Sequence, residues 1–169
     1  MKTRVGVLSA AAMAAVLVAP LALAANTTKA DAFMKKAIAG NLAEIKVGQL
    51  AQEKGATEGV RHFGTVLEQD HSQANQQAMT AASSMGVTPP AEPTSKEQAE
   101  YQHLASLSGD KFDKAFVKEM VKDHKKDIAQ YKKEAKMTNS PASSYAQQSL
   151  PVLHKHLQLA ESLERHPSG

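Results

Sequence analysis

Cysteine and tryptophan are absent from the 169 residues, and phenylalanine and tyrosine number only four and three. Without a thiol there is no disulfide, iron–sulfur cluster, thiolate chemistry or cysteine-borne lipid anchor. Scarce aromatics leave little material for strands, whereas Ala, Leu, Lys, Glu and Gln, all good helix formers, dominate. No glycine-rich phosphate loop, nucleotide fingerprint or nucleophile motif occurs. Gly40, Gly48, Gly59 and Gly64 are scattered and suit close helix contacts instead.

Long hydrophobic runs are missing too, with one exception at the start. Lys2 and Arg4 precede an apolar run over residues 5–19, followed by Pro20 and the small-residue stretch Leu21-Ala22-Leu23-Ala24-Ala25. A charged start, a short apolar run and an Ala-x-Ala site form the layout of a secretory signal, with cleavage expected after Ala24. A membrane anchor needs about 20 predominantly apolar residues, more than this run provides before Pro20. Residues 1–24 are therefore expected to be a cleaved signal peptide, and residues 25–169 one soluble domain, periplasmic or secreted. Losing Lys2 and Arg4 leaves 18 basic against 17 acidic side chains, a net +1. The sequence pI of about 9.0 thus reflects a near balance. A basic face for nucleic acid is not indicated.

What remains is helical periodicity. The first helix is expected to open near Thr28, with Asp31 completing a capping pair, and to place Phe33, Ala37, Gly40, Glu44, Val47 and Ala51 on one face. Gly55 ends it and Thr57 caps the next helix, over residues 58–85, whose stripe is Val60, Phe63, Leu67, His71, Ala74, Ala78, Ala81 and Met85. Gly86 and the prolines at 89, 90 and 93 begin a long crossover carrying a short helix over residues 96–107. The third long helix, residues 110–137, opens at Asp110 and carries Phe112, Phe116, Met120, His124, Ile128, Tyr131 and Ala135. Ser140-Pro141 starts the last helix, with Leu150, Leu153, His156 or Leu157, Ala160 and Leu163 inward and a kink expected at Pro151. Two antiparallel hairpins joined by a long crossover with a short extra helix make an all-α, ferritin-like four-helix bundle the expected fold.

Each long helix places a titratable group at mid-height on its buried face: Glu44, His71, His124 and His156. Burying such groups costs several kcal/mol unless they are paired or coordinated. Imidazole and carboxylate are ligands for divalent transition metals, and bundle cores are where facing helices build such sites. Asp70 and Asp123, each just before a histidine, are the candidate carboxylates to hold the ligand side chains from behind. The other reading is a polar layer in which the histidines bond these carboxylates without a metal. The heights do not match fully. Glu44 lies about 10 residues before the first turn and His71 about 14 after it, a mismatch of about 6 Å at ~1.5 Å per residue. Glu68-x-x-His71 has the spacing of di-metal bundles, yet Leu153 stands where the last helix would need the partner glutamate. Met120, one turn before His124, reads as a core filler, with soft copper ligation as its alternative. His154 falls off the best stripe, and His62, His103 and His166 have surface positions.

Three sets of residues together carry a family resemblance: Phe33-x10-Glu44-x3-Gly48-x-Leu50-Ala51; the frames Phe63-x6-Asp70-His71 and Phe116-x6-Asp123-His124; and Leu150-Pro151-x-Leu153-x2-His156-Leu157. Over residues 29–163 they resemble the exported bacterial proteins classed as domain of unknown function 4142. The resemblance implies a ferritin-like bundle outside the cytoplasm and brings no established activity. Three functional readings follow. The first is a non-enzymatic, metal-binding envelope protein of homeostasis or stress. The second is a metal-dependent oxidase or peroxide-consuming enzyme, and the third a structural interaction module. A homo-oligomer or an envelope protein are the partners left open.

Overall fold

The computed structural model describes residues 19–137 and 139–166, with side chains from residue 28 onward. It contains five helices and, among the described residues, no strand: α1 (Ala19–Lys54), α2 (Glu58–Ser84), α3 (Ser95–Ala105), α4 (Gly109–Glu134) and α5 (Pro141–Arg165). Most of the expected signal, residues 1–18, lies outside the described residues. No described helix is long and apolar enough to cross a membrane.

The first correction is at the start of α1. The helix is already formed at Ala19, so Thr28 and Asp31 lie inside it and do not cap it. The residues before Thr28 are mostly Ala and Leu, with no breaker after Pro20, and helix propensity carries the backbone through. The other boundaries follow local chemistry. Thr57 accepts from the Val60 amide at the start of α2. Gly86, at φ +69°, closes α2: its amide and that of Val87 bond the carbonyls of Ser83 and Ala82, a Schellman ending that a left-handed glycine permits. Thr94 and Glu97 form a full capping box on α3, and Ser140 and Ser143 form one on α5, with Pro141 in its first turn. α5 continues through Pro151, which is exposed.

α4 begins one residue before Asp110, from Ser108, and no side chain caps it. Asp113, about one turn into α4, reaches across to the other hairpin. It accepts from the Ala56 and Thr57 amides and the Thr57 hydroxyl, each at 2.9 Å, and so ties down the α1–α2 turn.

α1 packs on α2, α4 on α5, and the hairpins meet along α2 with α5 and α1 with α4. Cross-helix pairs fix the directions. Asn41 meets His71, Asp70 meets His156, His124 meets His156, and Lys36 meets Gln130. Every neighbouring pair is antiparallel, so α2 and α4 are parallel and lie diagonally. The segment between them must therefore travel the length of the bundle. It passes Lys46 at Glu92 and ends where Lys54 donates to the Ala105 and Leu107 carbonyls. Gly48 and Gly64 let α1 and α2 approach closely, since a Cβ on Gly48 would lie 2.7 Å from the Gly64 oxygen.

Two apolar clusters fill the core. One contains Met34, Ile38, Ala78, Ile128 and Leu153; the other contains Leu67, Phe63, Phe112, Phe116 and Met120. The buried polar residues Asn41, Glu44, His71, His124 and His156 lie between them in sequence height on each helix.

Candidate metal centre

The periodicity that buries these side chains follows the expected stripes on α2, α4 and α5, and His156, not Leu157, is the fully buried member of its pair. On α1, Ala37, Glu44, Val47 and Ala51 are buried as expected, and the stripe moves by one residue around Gly40. Asn41 is buried and Gly40 only half-buried. This shift resolves the height mismatch, because Asn41 lies about one turn before Glu44 and is what meets His71.

Three histidines converge. Their ring centroids are 5.2 Å (His71–His156), 5.3 Å (His124–His156) and 6.0 Å (His71–His124) apart. One ligand atom from each lies within 4.8 Å of the others. Hydrogen-bond partners assign the tautomers. His124 Nδ1 faces the Met120 carbonyl at 3.0 Å, so it carries the hydrogen and Nε2 is bare. Asn41 donates its amide to the Tyr145 hydroxyl at 3.0 Å, which turns its carbonyl oxygen to His71 Nδ1, also at 3.0 Å. His71 Nδ1 therefore donates, and Nε2 is left buried without a partner. His156 Nε2 lies 2.8 Å from the Asp70 carboxylate and donates to it, which strips Nδ1.

The consequence is a conflict at the centre. His124 Nε2 and His156 Nδ1 face each other at 3.2 Å, each with a lone pair and neither with a hydrogen. A proton or a cation between them removes the repulsion. Burial, then the neighbouring imidazoles, holds His71 well below the ordinary histidine range. Burial also lowers His124 to about 3 and His156 by less, the latter opposed by Asp70. A proton is thus the disfavoured solution near neutral pH. A divalent ion is the other, and the donor set fits one. Outer ring nitrogens held by a carbonyl, an amide and a carboxylate are how metal-binding histidines are oriented. Tetrahedral ligation at ~2.05 Å separates nitrogens by about 3.3 Å, near the distance already present.

Glu44 is not among the three converging residues. It is buried, its Oε2 has no partner, and burial followed by Asp127 and Asp123 raises its pKa well above the carboxylate range. It shares a cavity of about 20 Å³ with His71, Asn41 and Asp127. The two aspartates expected behind the histidines part company. Asp70 holds His156, whereas Asp123 groups with Glu100 and Glu119, toward α3 and away from the imidazoles. One residue on a helix is a rotation of about 100°, enough to move Asp123 into the next groove. Burial and those two glutamates raise Asp123 to about 6.

Glu68 turns to α1, accepting from Gln49 and Gln52 at 2.8 and 2.6 Å, and takes no part. Met120 is buried in the apolar core and serves His124 through its carbonyl. His62, His103 and His166 are exposed, and His154 is half-buried. Asn41 and Tyr145 belong to no motif of the sequence. The available signal was an amide three residues before Glu44, within the apolar stripe.

No curated protein and no solved structure matches the chain. A family model matches residues 17–163, nearly the whole sequence. The chain belongs to the family described as Domain of unknown function (DUF4142).

Proposed function

We propose that this protein is exported, folds as a ferritin-like bundle, and binds one divalent transition-metal ion on His71, His124 and His156. In this reading it is a non-enzymatic protein of envelope homeostasis or stress. The observation that carries the metal reading is the convergence of three bare imidazole nitrogens, two of them 3.2 Å apart and the third without a partner. A metal-free polar layer leaves both the lone-pair contact and His71 Nε2 unexplained. The parallel α2 and α4 with a crossover running the bundle's length support the ferritin-like assignment. A di-metal oxidation centre is disfavoured, since α5 has no Glu-x-x-His and Glu68 faces α1. Glu44 stands outside the proposed ligand set.

Calorimetric titration of chelator-treated protein with zinc, copper, iron and manganese tests this reading. One ion per chain should bind, and the melting temperature should rise with its concentration. If none binds tighter than millimolar, the histidines are a polar core layer. Export rests on the charged start and the Ala22-Leu23-Ala24 triplet. Intact mass of the native protein should show residues 1–24 removed, and a full-length, membrane-embedded product would contradict it. Cells lacking the protein should tolerate envelope metal or oxidant stress less well; unchanged tolerance would remove the proposed role.

A further inference from the structure

We propose that the three-histidine centre keeps one coordination position open, and that this position takes a small monoanion entering between α2 and α5. The inference rests on the metal reading above and deepens it.

No described residue stands as a fourth ligand. Among the described residues, the group that includes these histidines has no fourth member. Asp70 is engaged behind His156, and the sulfur-bearing Met120 belongs to the apolar cluster. An ion held by three imidazoles still needs at least one more donor, and three protein ligands with an open position are the arrangement that admits an outside ligand.

A route to the centre exists. A cavity of about 250 Å³ has both His71 and His156 in its wall. Its mouth is formed by the exposed residues Gln73, Gln77, Gln148 and Val152, while Asn41, Tyr145 and Ser149 are buried deeper in its wall. The cavity therefore joins solvent to the wall formed by two of the three histidines and their partners Asn41 and Asp70.

Charge and size select the ligand. A divalent ion, three neutral imidazoles and the Asp70 carboxylate leave one net positive charge in a largely buried site. Among the described residues, no lysine or arginine lines the cavity. Lys155 lies 4.0 Å from Asp70 but is exposed, so solvent screens it. One negative charge on the incoming ligand completes the balance. The volume is below the range of about 300–1,000 Å³ typical for drug-sized ligands, so the cavity suits a small anion. The amide and hydroxyl groups of the wall offer it hydrogen bonds.

The test uses the full mature chain loaded with cobalt(II), whose visible absorption reports coordination, with azide as the probe anion. Azide should change the spectrum saturably. Val152→Trp and Gln148→Trp, both at the exposed mouth, should weaken azide binding about ten-fold or more, equivalent to ~1.4 kcal/mol, and leave cobalt affinity within a few-fold. Cobalt binding with a spectrum indifferent to azide would show a closed centre, overturning this inference while the metal reading stands. A wild-type response in both tryptophan variants would overturn the proposed route. Failure to bind cobalt, with no other divalent metal bound either, would remove both readings.

Discussion

α2 and α4 carry the same frame, Phe-x6-Asp-His, and run parallel on one diagonal of the bundle, with α1 and α5 on the other. The phenylalanines Phe63 and Phe116 meet edge to face at 5.8 Å, and the histidines one cluster further along both point inward. A rotation about the bundle axis that exchanges α2 with α4 also exchanges α5 with α1. Asp70 beside His156 then corresponds to Asp123 beside Glu44. On one side the aspartate meets an imidazole that donates to it at 2.8 Å. On the other it lies among carboxyl groups, grouped with Glu100 and Glu119 in a groove that Glu44 also lines, and both Asp123 Oδ1 and Glu44 Oε2 are left without partners. Equal backbone positions thus become unequal chemistry because a single neighbour differs. An imidazole can orient and be oriented; two carboxylates can only repel until one is protonated.

If the histidine side holds an ion, the largest effect comes from removing a ligand. His124→Ala or His71→Ala should abolish the metal-dependent rise in stability, about 2.7 kcal/mol at 100-fold excess over the dissociation constant. Thermal melts with and without metal measure this directly. Loss of stability that is the same in both conditions would support the metal-free layer, where truncation only leaves a partner unsatisfied. Acid sharpens the same point. The histidine pKa values are lowered in the fold, so their contribution to stability is present above the unfolded value of about 6.5 and is lost as pH falls towards the folded values. For His124 that window closes at about 3. Metal should therefore stay bound to lower pH than it would on exposed histidines, as followed by calorimetry from pH 7 downward.

The next effect separates the two aspartates. Asp70→Ala removes the acceptor that fixes the His156 tautomer, and should weaken metal binding about 10–100-fold. Asp123→Ala should leave it within a few-fold, because Asp123 groups with Glu100 and Glu119 instead. Equal losses in both variants would mean that Asp123 also supports the centre, as its place in the sequence frame had led us to expect.

Much of this was legible from periodicity. Steps of three and four residues located the buried face of α4 almost residue by residue, and that of α2 as far as Ala78, beyond which Ala82 is buried and Ala81 and Met85 are half-buried. The burial of His71, His124 and His156 followed from the same count. The inward turn of Asn41 on α1 was not legible. Gly40 and Asn41 are adjacent, neither is apolar, and only packing against α2 decides that Asn41 turns inward. The use of Asp123 was not legible either, since it depends on α3 lying across α1 and α4, a contact that no local pattern encodes. The start of α1 was misread for a different reason. Thr28 and Asp31 are a good capping pair, but a cap acts only where the preceding backbone leaves the helix, and the Ala- and Leu-rich residues before it stay helical.

The smallest effect has the opposite sign on the two sides. Asp123 is raised from 3.8 to about 6 by burial and by Glu119 and Glu100, so its ionised form is disfavoured in the fold. For a carboxyl group raised in this way, stability is fully present below the unfolded value near 3.8 and is lost as pH rises through about 6. Asp123→Asn removes the charge and supplies an amide that can donate to Glu44 or Glu119. At pH 8 it should stabilise the metal-free protein by on the order of 1 kcal/mol, after discounting for the solvent that reaches this partly exposed group. At pH 4 the gain should vanish, because the wild-type side chain is then already protonated in the fold. Asp70→Asn, which weakens a charge-assisted bond to His156, should instead destabilise at pH 8. Denaturant titrations of the two variants at both pH values decide the matter. Destabilisation by Asp123→Asn at pH 8 would mean that this carboxylate has a favourable partner, and that the two sides of the bundle are alike after all.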